Sequence, residues 1–226
     1  MGKNLNQADI IVENIKSIVA DYYALVNMDK GKASLEDYKT IGAGGVTEAN
    51  LNYVNSNMAG KGYFKENEKA VSNAVEAVVD IVKTYNIITK VNAGTAKLRE
   101  YQELGIVNKV TEDNLQFINA NIKNLNLKTK EEVESQVVYW AGQYTSFAKI
   151  NTGVAIINDY VNLGLKNVDN SIRLYVNADL KDKNILTAKE LQEVIDKHQN
   201  IYAALMNINL GNGTENDIRL LEHLQH

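Results

Sequence analysis

The sequence predicts an all-α fold, a tandem array of three-helix-bundle repeats of about 60 residues each. Three observations lead to this prediction. The 226-residue chain has no Pro and no Cys, so the strongest helix-breaking residue is missing and no disulfide framework is available. Apolar residues recur at spacings of three and four, which is the period of an amphipathic helix. Aromatic residues, glycines and capping residues recur in the same order along the chain.

The clearest recurrence is a Tyr that precedes a Gly by four residues. It occurs three times, as Tyr38 with Gly42, Tyr101 with Gly105 and Tyr160 with Gly164. Two further aromatic columns keep step with it: Tyr22, Tyr85 and Tyr144 before these tyrosines, and Tyr53, Phe117 and Tyr175 after them. Tyr202 continues the first column, and the same step from Tyr202 reaches Ile218. We expect a further copy to begin there.

Each unit is predicted to contain three helices, A, B and C. Helix A is short and ends at the recurring Gly, a residue suited to the left-handed cap position. Helix B follows residues whose side-chain oxygens cap helix N-termini: Thr47-Glu48, Thr111-Glu112 and Asp169-Asn170. Helix C is the longest, and two of its copies begin with a capping box, Thr129 to Glu132 and Thr187 to Glu190. It ends at an Asn-x-Gly joint, Asn92 to Gly94 and Asn151 to Gly153.

Helix C carries an apolar face about 100° wide, which predicts that this face lies in the core. In the first copy the face consists of Ile11, Ile15, Ile18, Tyr22 and Leu25. In the second copy it consists of Val71, Val75, Val78, Val82 and Tyr85, and in the third of Val133, Val137, Trp140, Tyr144 and Phe147.

The order of the elements predicts where the units begin and end. Residues 1–30 are expected to be the C-terminal helix of a preceding repeat, followed by repeats at 31–92, 93–151 and 152–209. Residues 210–226 are expected to hold the first helix of a following repeat, together with a terminal segment containing His223 and His226 that resembles a cloning tail. A chain that starts and stops out of phase with its own repeat is expected to come from a longer array.

Composition and charge exclude several classes of function. Without Cys there is no thiolate nucleophile and no Cys-ligated metal. The net charge of −4, with Lys and Glu interspersed, argues against nucleic-acid binding. No apolar run approaches the length needed to cross a bilayer, so we expect no membrane insertion. The first residues do not form a signal peptide, so any export signal is expected outside this segment.

Candidate functional residues are few, and we predict no catalytic residue, cofactor or metal. Five residues are inserted between helices B and C of the first repeat, around Gly60 to Phe64. Tyr63 and Phe64 are expected to be exposed there and to form a contact loop, since binding concentrates on loops. His198 is the only internal His and is expected to be half-buried, with no partner for a triad or a zinc site. Asp37, Glu100 and Asp159 precede the recurring tyrosines, which favours capping or solvation over catalysis.

Two segments were considered as calcium loops, Asp179 to Asn184 and Asn209 to Gly213. Neither has the alternating ligands and bidentate Glu of an EF-hand, so calcium is not predicted. The Gly pairs Gly44-Gly45 and Gly211-x-Gly213 lack the strand and the Gly-Lys-Ser/Thr sequence of a phosphate loop.

Two resemblances to known families can be stated on particular residues. The string from Leu35 to Met58, LEDYKTIGAGGVTEANLNYVNSNM, resembles a tandem repeat of very large bacterial surface and adhesin-like proteins. Leu98 to Ile122 matches less well, and Val154 to Leu180 departs further because Asp169-Asn170-Ser171 replaces the Thr-x-x-Asn-Leu start. More loosely, the helix order is similar to that of albumin-binding GA modules, on Tyr101 to Ile106, Asn114 to Asn119 and Thr129 to Val133.

These resemblances imply a helical fold and an extracellular setting, but mark no active site. The function expected is a non-enzymatic extender or adhesion module of a bacterial cell-surface or secreted protein. Its expected partners are an extracellular protein or glycan and neighbouring repeats of the same chain. Two alternatives stay open: an albumin-type host-protein binder and an intracellular helical-repeat scaffold.

Overall fold

Every regular element of the structure, a computed structural model that describes residues 7–65 and 69–222, is helical. The all-α class is therefore confirmed. Four helices are long: α1 (Gln7–Asp29), α4 (Ala70–Ala93), α7 (Lys130–Asn151) and α10 (Ala188–Asn209). The short helices are α2 (Leu35–Thr40), α3 (Leu51–Met58), α5 (Leu98–Glu103), α6 (Glu112–Ile122), α8 (Ile157–Asn162), α9 (Arg173–Leu180) and α11 (Glu215–Glu222). A single 3₁₀ turn, Tyr63–Lys65, lies between α3 and α4. His223 and His226 lie outside the described residues.

The two capping boxes predicted for the long helices are confirmed. The Thr129 hydroxyl accepts from the Glu132 amide at 3.2 Å, and the Glu132 carboxylate accepts from the Thr129 amide at 3.3 Å. Thr187 and Glu190 form the same reciprocal pair at 3.2 and 3.1 Å. These bonds satisfy amides that a helix start leaves without intrahelical acceptors. Sequence therefore determines the start of α7 and of α10.

The helix ends predicted at glycines also agree with the structure. As expected, α2, α5 and α8 are each followed by a glycine in the left-handed conformation: Gly42, Gly105 and Gly164. After α7, Gly153 has φ +74 and faces α9 so closely that an added Cβ would lie 3.0 Å from the Asn177 carbonyl oxygen. Only Gly meets both the positive φ and the close approach.

Two of the three predicted B helices begin later in the chain than predicted. Thr111 caps α6 as expected, but α3 begins at Leu51 and α9 at Arg173. In both cases the residues before the helix form a turn closed by their own side chains. The Asn50 side chain accepts from the Thr47 amide and donates to the Gly45 carbonyl, while the Asp169 carboxylate accepts from the Ser171 amide. Asn114 makes the equivalent bonds to Thr111 and Lys109 at the start of α6, so these bonds alone do not delay the start of a helix.

Contacts divide the chain into two compact units, residues 1–89 and 90–226. In the first unit, the C-terminal third of α1 packs with α2, α3 and α4 around Tyr38, Val54 and Met58, all fully buried. In the second unit, α7 packs against α6, α8 and α9, and α10 packs against α9 and α11. The aromatic centre of this unit is Phe117 on α6, whose ring lies 4.3 Å from that of Phe147 on α7.

The prediction that the whole apolar face of α1 is buried is wrong. Leu25 is buried, but Ile11, Ile15 and Ile18 are exposed, and Tyr22 is exposed although Phe64 meets its ring edge-on. Aromatic side chains that recur on amphipathic helices are also expected in the core, but Tyr175 is exposed.

Candidate functional site

The inserted loop that carries Tyr63 and Phe64 is held against the end of α1. The Gly60 amide donates to the Asp29 carbonyl at 2.9 Å, and the Gly62 amide donates to the Asp29 carboxylate at 2.6 Å. Gly60 and Gly62 both have positive φ, which lets the chain turn tightly over Asp29. The loop is therefore anchored at both glycines.

Both aromatic side chains of this loop are half-buried, so the expectation that they are exposed is wrong. They lie on the 3₁₀ turn Tyr63–Lys65 and pack on the hydrophobic core of the first unit. The Phe64 ring meets the Tyr22 ring edge-on at 6.3 Å, and the Lys65 ammonium lies 5.3 Å from its centroid. A ligand could reach only the outer edges of these rings. Their role in contact stays a prediction.

Residues at the ends of the next two long helices make the same backbone contact as Asp29. The Asn92 carbonyl accepts from the Asn124 amide at 2.9 Å, and the Asn151 carbonyl accepts from the Asp182 amide at 3.0 Å. The side chains bind the same loops, since Asn92 donates to the Leu127 carbonyl and Asn151 to the Ile185 carbonyl, both at 2.9 Å. The Asn of the Asn-x-Gly joint thus clamps the loop that leads into the next long helix. Sequence analysis placed these residues at the joint but missed this contact.

A Tyr–Asn pair with a buried Tyr recurs three times with the same two hydrogen bonds. The Tyr38 hydroxyl donates to the Asn55 side-chain oxygen at 2.7 Å, and the Asn55 amide group donates to the Ala33 carbonyl at 2.8 Å. The equivalent residues are Tyr101 with Asn119 and Ala96, and Tyr160 with Asn177 and Ala155. Each pair joins two successive short helices, and its Asn also binds the carbonyl of a residue that lies before the first of them.

Burial at these pairs changes the acidity of the tyrosines. It raises the pKa of Tyr38 to about 12, with a smaller contribution from the neighbouring Asp37 carboxylate. It also raises the pKa of Tyr160 to about 12, partly offset by Arg173, and raises the pKa of Tyr101 above its usual range. Burial disfavours the charged tyrosinate. These hydroxyls are therefore protonated near neutral pH and donate hydrogen bonds to the Asn side chains.

The carboxylates that precede the recurring tyrosines act as helix caps. The Asp37, Glu100 and Asp159 side chains accept from the amides of Ser34, Lys97 and Ile156 at 2.7, 2.7 and 3.0 Å. Asp217 does the same for Thr214 at the start of α11, at 2.8 Å. The capping role favoured by the sequence is therefore confirmed for all three predicted residues.

Asp159 also pairs with Lys149 of α7 at 3.1 Å, and Glu100 pairs with Lys90 in the same way. Burial alone would raise the pKa of Asp159. Hydrogen bonds from the Ile156 amide, Lys149 and Ser146 outweigh this effect and lower it. The ionised carboxylate thus joins the end of α7 to the start of α8.

His198 is half-buried on α10, as predicted, and it has a partner that sequence reasoning missed. Its Nε2 lies 3.0 Å from the Asp179 carboxylate of α9, which also pairs with Lys183. Burial would raise the pKa of Asp179, but Lys183 and His198 outweigh it and lower the pKa. Nineteen residues separate His198 from Asp179, and no short motif in the sequence joins them.

A cavity of about 270 Å³ lies beside His198. Its walls are apolar and aromatic, mainly Tyr175, Tyr202, Leu205 and Met206. The arrangement can hold an apolar side chain but presents no converging carboxylates. Asp182, considered as a calcium ligand, has a left-handed backbone and donates its amide to the Asn151 carbonyl. Over residues 7–65 and 69–222, no three His, Cys, Asp or Glu side chains are grouped to hold a metal ion.

Comparison of the chain with models of protein families, with curated proteins and with solved structures gives no match. In the part of the chain that the structure describes, no helix combines the length and the apolar character that a bilayer crossing requires.

Proposed function

We propose that this chain is a row of tandem three-helix repeats that serves, without catalysis, as an extender or adhesion module of a bacterial cell-surface or secreted protein. The units run over residues 31–92, 93–151 and 152–209. Residues 1–30 belong to the end of a preceding unit, and residues 210–226 contain the start of a following one.

The observation that carries this proposal is the recurring Tyr–Asn pair. Three times, a Tyr four residues before a Gly donates to an Asn in the next short helix, and that Asn donates to an Ala carbonyl. The clamp made by Asp29, Asn92 and Asn151 recurs in the same register. Two independent hydrogen-bond arrangements that share one period support duplication of a single structural unit.

The bacterial surface setting is supported by the resemblance of Leu35 to Met58 to repeats of large adhesin-like proteins. A role without catalysis is supported by the use of the recurring acids as helix caps and by the protonated, buried state of the recurring tyrosines. The partners proposed are an extracellular protein or glycan, contacted through the outer edges of Tyr63 and Phe64, and neighbouring repeats.

The repeat itself can be tested by a deletion in register. Removing residues 94–152 joins Ala93 directly to Gly153, the equivalent joint residue, and retains the first and third Tyr–Asn pairs. We expect this shortened chain to fold cooperatively with an undiminished helical fraction in circular dichroism. As a control, removing only residues 94–122 joins Ala93 to Lys123 and leaves α7 without the preceding short helices α5 and α6. If the two shortened chains lost the same fraction of helix in circular dichroism, the repeat proposal would be overturned.

The extender role can be tested by solution scattering. A compact protein of 226 residues has a radius of gyration of about 17 Å. An extender has to be longer than a compact protein of equal mass, so we expect a clearly larger radius. A value near 17 Å would exclude this role. If the protein is retained on immobilised serum albumin and the Tyr63→Ser, Phe64→Ser double variant is not, the albumin-type binder replaces the extender as the proposed function.

A further inference from the structure

The first two thirds of α1 expose a continuous apolar stripe in the described structure. Ile11 is 53 % exposed, Ile15 55 % and Ile18 67 %, and Val19 lies next to them. By contrast, Ala24, Leu25 and Met28 at the other end of the same helix are buried in the core of the first unit. We call the exposed residues Ile11, Ile15, Ile18 and Val19 the α1 stripe.

The recurring tyrosines align the α1 stripe with the other long helices. Ile11 and Ile15 stand eleven and seven residues before Tyr22. The residues at the same distances before Tyr85, Tyr144 and Tyr202 are Ala74 and Val78, Val133 and Val137, and Leu191 and Ile195. All six have 0 % exposure. Hence α1 exposes the two positions that the other three long helices bury completely.

The structure also shows what covers these positions in the other helices. Ala74 and Val78 of α4 lie in one hydrophobic cluster with Tyr38 of α2 and with Val54 and Met58 of α3. The short helix α6 packs on α7, and α9 packs on α10. For α7 and α10, the short helix that directly precedes the long helix in the chain packs on it, and for α4 both preceding short helices contribute residues to the shared cluster.

The charges on α1 fit this kind of partner better than a lipid surface. Its polar face carries Asp9, Glu13 and Asp21 against a single Lys16. A helix that lies on an anionic membrane is rich in Lys and Arg on its polar face.

We propose that the α1 stripe is the docking surface for a pair of short helices of the α5–α6 kind, supplied by a neighbouring repeat unit placed immediately before α1. The pair completes a three-helix bundle in which Ile11 and Ile15 take the buried positions that Val133 and Val137 have on α7, where α6 packs. This inference rests on the repeat equivalence within the proposed function, but not on the surface location or on the extender role.

The test supplies the missing pair within one chain. Residues 70–132 are placed directly before Ile11, so that Ile11 takes the position that Val133 has after Glu132. Hydrogen exchange is then measured on the amides of residues 11–22 in the grafted and the parent chains. Because buried helices open far less often than exposed ones, we expect exchange there to slow by at least about tenfold in the grafted chain.

A double variant, Ile11→Asp with Ile15→Asp, provides the matched control in both chains. In the parent the two side chains are exposed, so the thermal transition should stay nearly unchanged. In the grafted chain the charges would be buried, and the exchange protection should be lost.

Three results would overturn the proposal. The first is unchanged exchange in residues 11–22 of the grafted chain, and the second is a graft whose added helices stay unfolded by circular dichroism. The third is a parent protein that dimerises in sedimentation and loses this in the double variant, since the α1 stripe would then bind a second copy. The deletion of residues 94–152 tests the repeat itself, so failure of docking can be told apart from failure of the repeat.

Discussion

Tyr160→Phe removes one oxygen from the most deeply buried of the recurring Tyr–Asn pairs and leaves the ring in place. Tyr160 has 0 % exposure and Asn177 4 %, so water cannot take the place of the lost donor. The Asn177 side-chain oxygen then has no partner, whereas its amide group still donates to the Ala155 carbonyl at 2.9 Å. The change therefore isolates a single hydrogen bond.

An unsatisfied buried acceptor costs about 1–3 kcal/mol. With both partners almost fully buried, we expect a loss of about 2 kcal/mol, which is roughly a 30-fold change in the unfolding equilibrium. Combining Tyr160→Phe with Asn177→Ala should give less than the sum of the two single losses, because both variants break the same bond.

Trp140 provides the assay because it is the only Trp in the chain and lies on α7, in the same unit as Tyr160. Urea unfolding followed by its fluorescence should show a midpoint lower by about 1 M at an unchanged slope. Tyr175→Phe in the same unit is the matched control, since Tyr175 is 65 % exposed and should shift the midpoint very little. Equal midpoints for Tyr160→Phe and the parent would refute the reasoning.

Three further predictions concern the joints and the titratable groups. Gly153→Ala combines a positive φ with a Cβ 3.0 Å from the Asn177 carbonyl oxygen, so urea unfolding should show a loss of about 1–3 kcal/mol; no loss would mean that the joint relaxes freely. Asp159→Asn should cost about 1–2 kcal/mol at pH 7. Because the pKa of Asp159 is lowered from 3.8, this contribution is present above that pH and disappears as the pH falls through the folded-state value. Melting curves of variant and parent should therefore converge in acid, and a gap that persists there would contradict the role of the charge. The pKa of Tyr38 and of Tyr160 is raised from 10.0 to about 12, so their contribution to stability is intact below pH 10 and is lost as the pH rises toward 12. An ultraviolet titration should show these tyrosines ionising after the exposed ones, and ionisation of all tyrosines together would count against the buried pairs.

Local chemistry accounts for the parts of the fold that sequence predicted well. The capping boxes at Thr129 and Thr187 and the left-handed Gly105 depend on residues within four positions of each other, so a short pattern is sufficient to place them. The start of α3 was predicted too early. Asn50 closes a turn with Thr47 and Gly45, and Asn114 makes the equivalent bonds at α6, which begins where expected. The local pattern therefore does not separate the two cases. Turns and helix N-caps use the same residue types, so a short sequence pattern does not tell one from the other.

The contacts that sequence did not predict are those between residues far apart in the chain. Asn92 was expected at a helix end, but its bonds to Leu127 span 35 residues, and periodicity gives no information about such a partner. The pairing of His198 with Asp179 has the same cause. The exposure of Ile11 and Ile15 was missed for a different reason. An apolar face predicts that a helix has a partner, not that the partner is present.

The long helix α7 packs on helices from both directions along the chain. α6 lies against it from the preceding segment, and α8 and α9 lie against it from the following one. One long helix therefore packs against short helices from both sides of the chain, with no linker between them. A protease that cuts inside α7 would uncover both sets at once, whereas a cut in a linker between independent domains leaves each domain folded. Resistance to digestion is thus shared by the short helices that pack on α7 from the two sides of the chain.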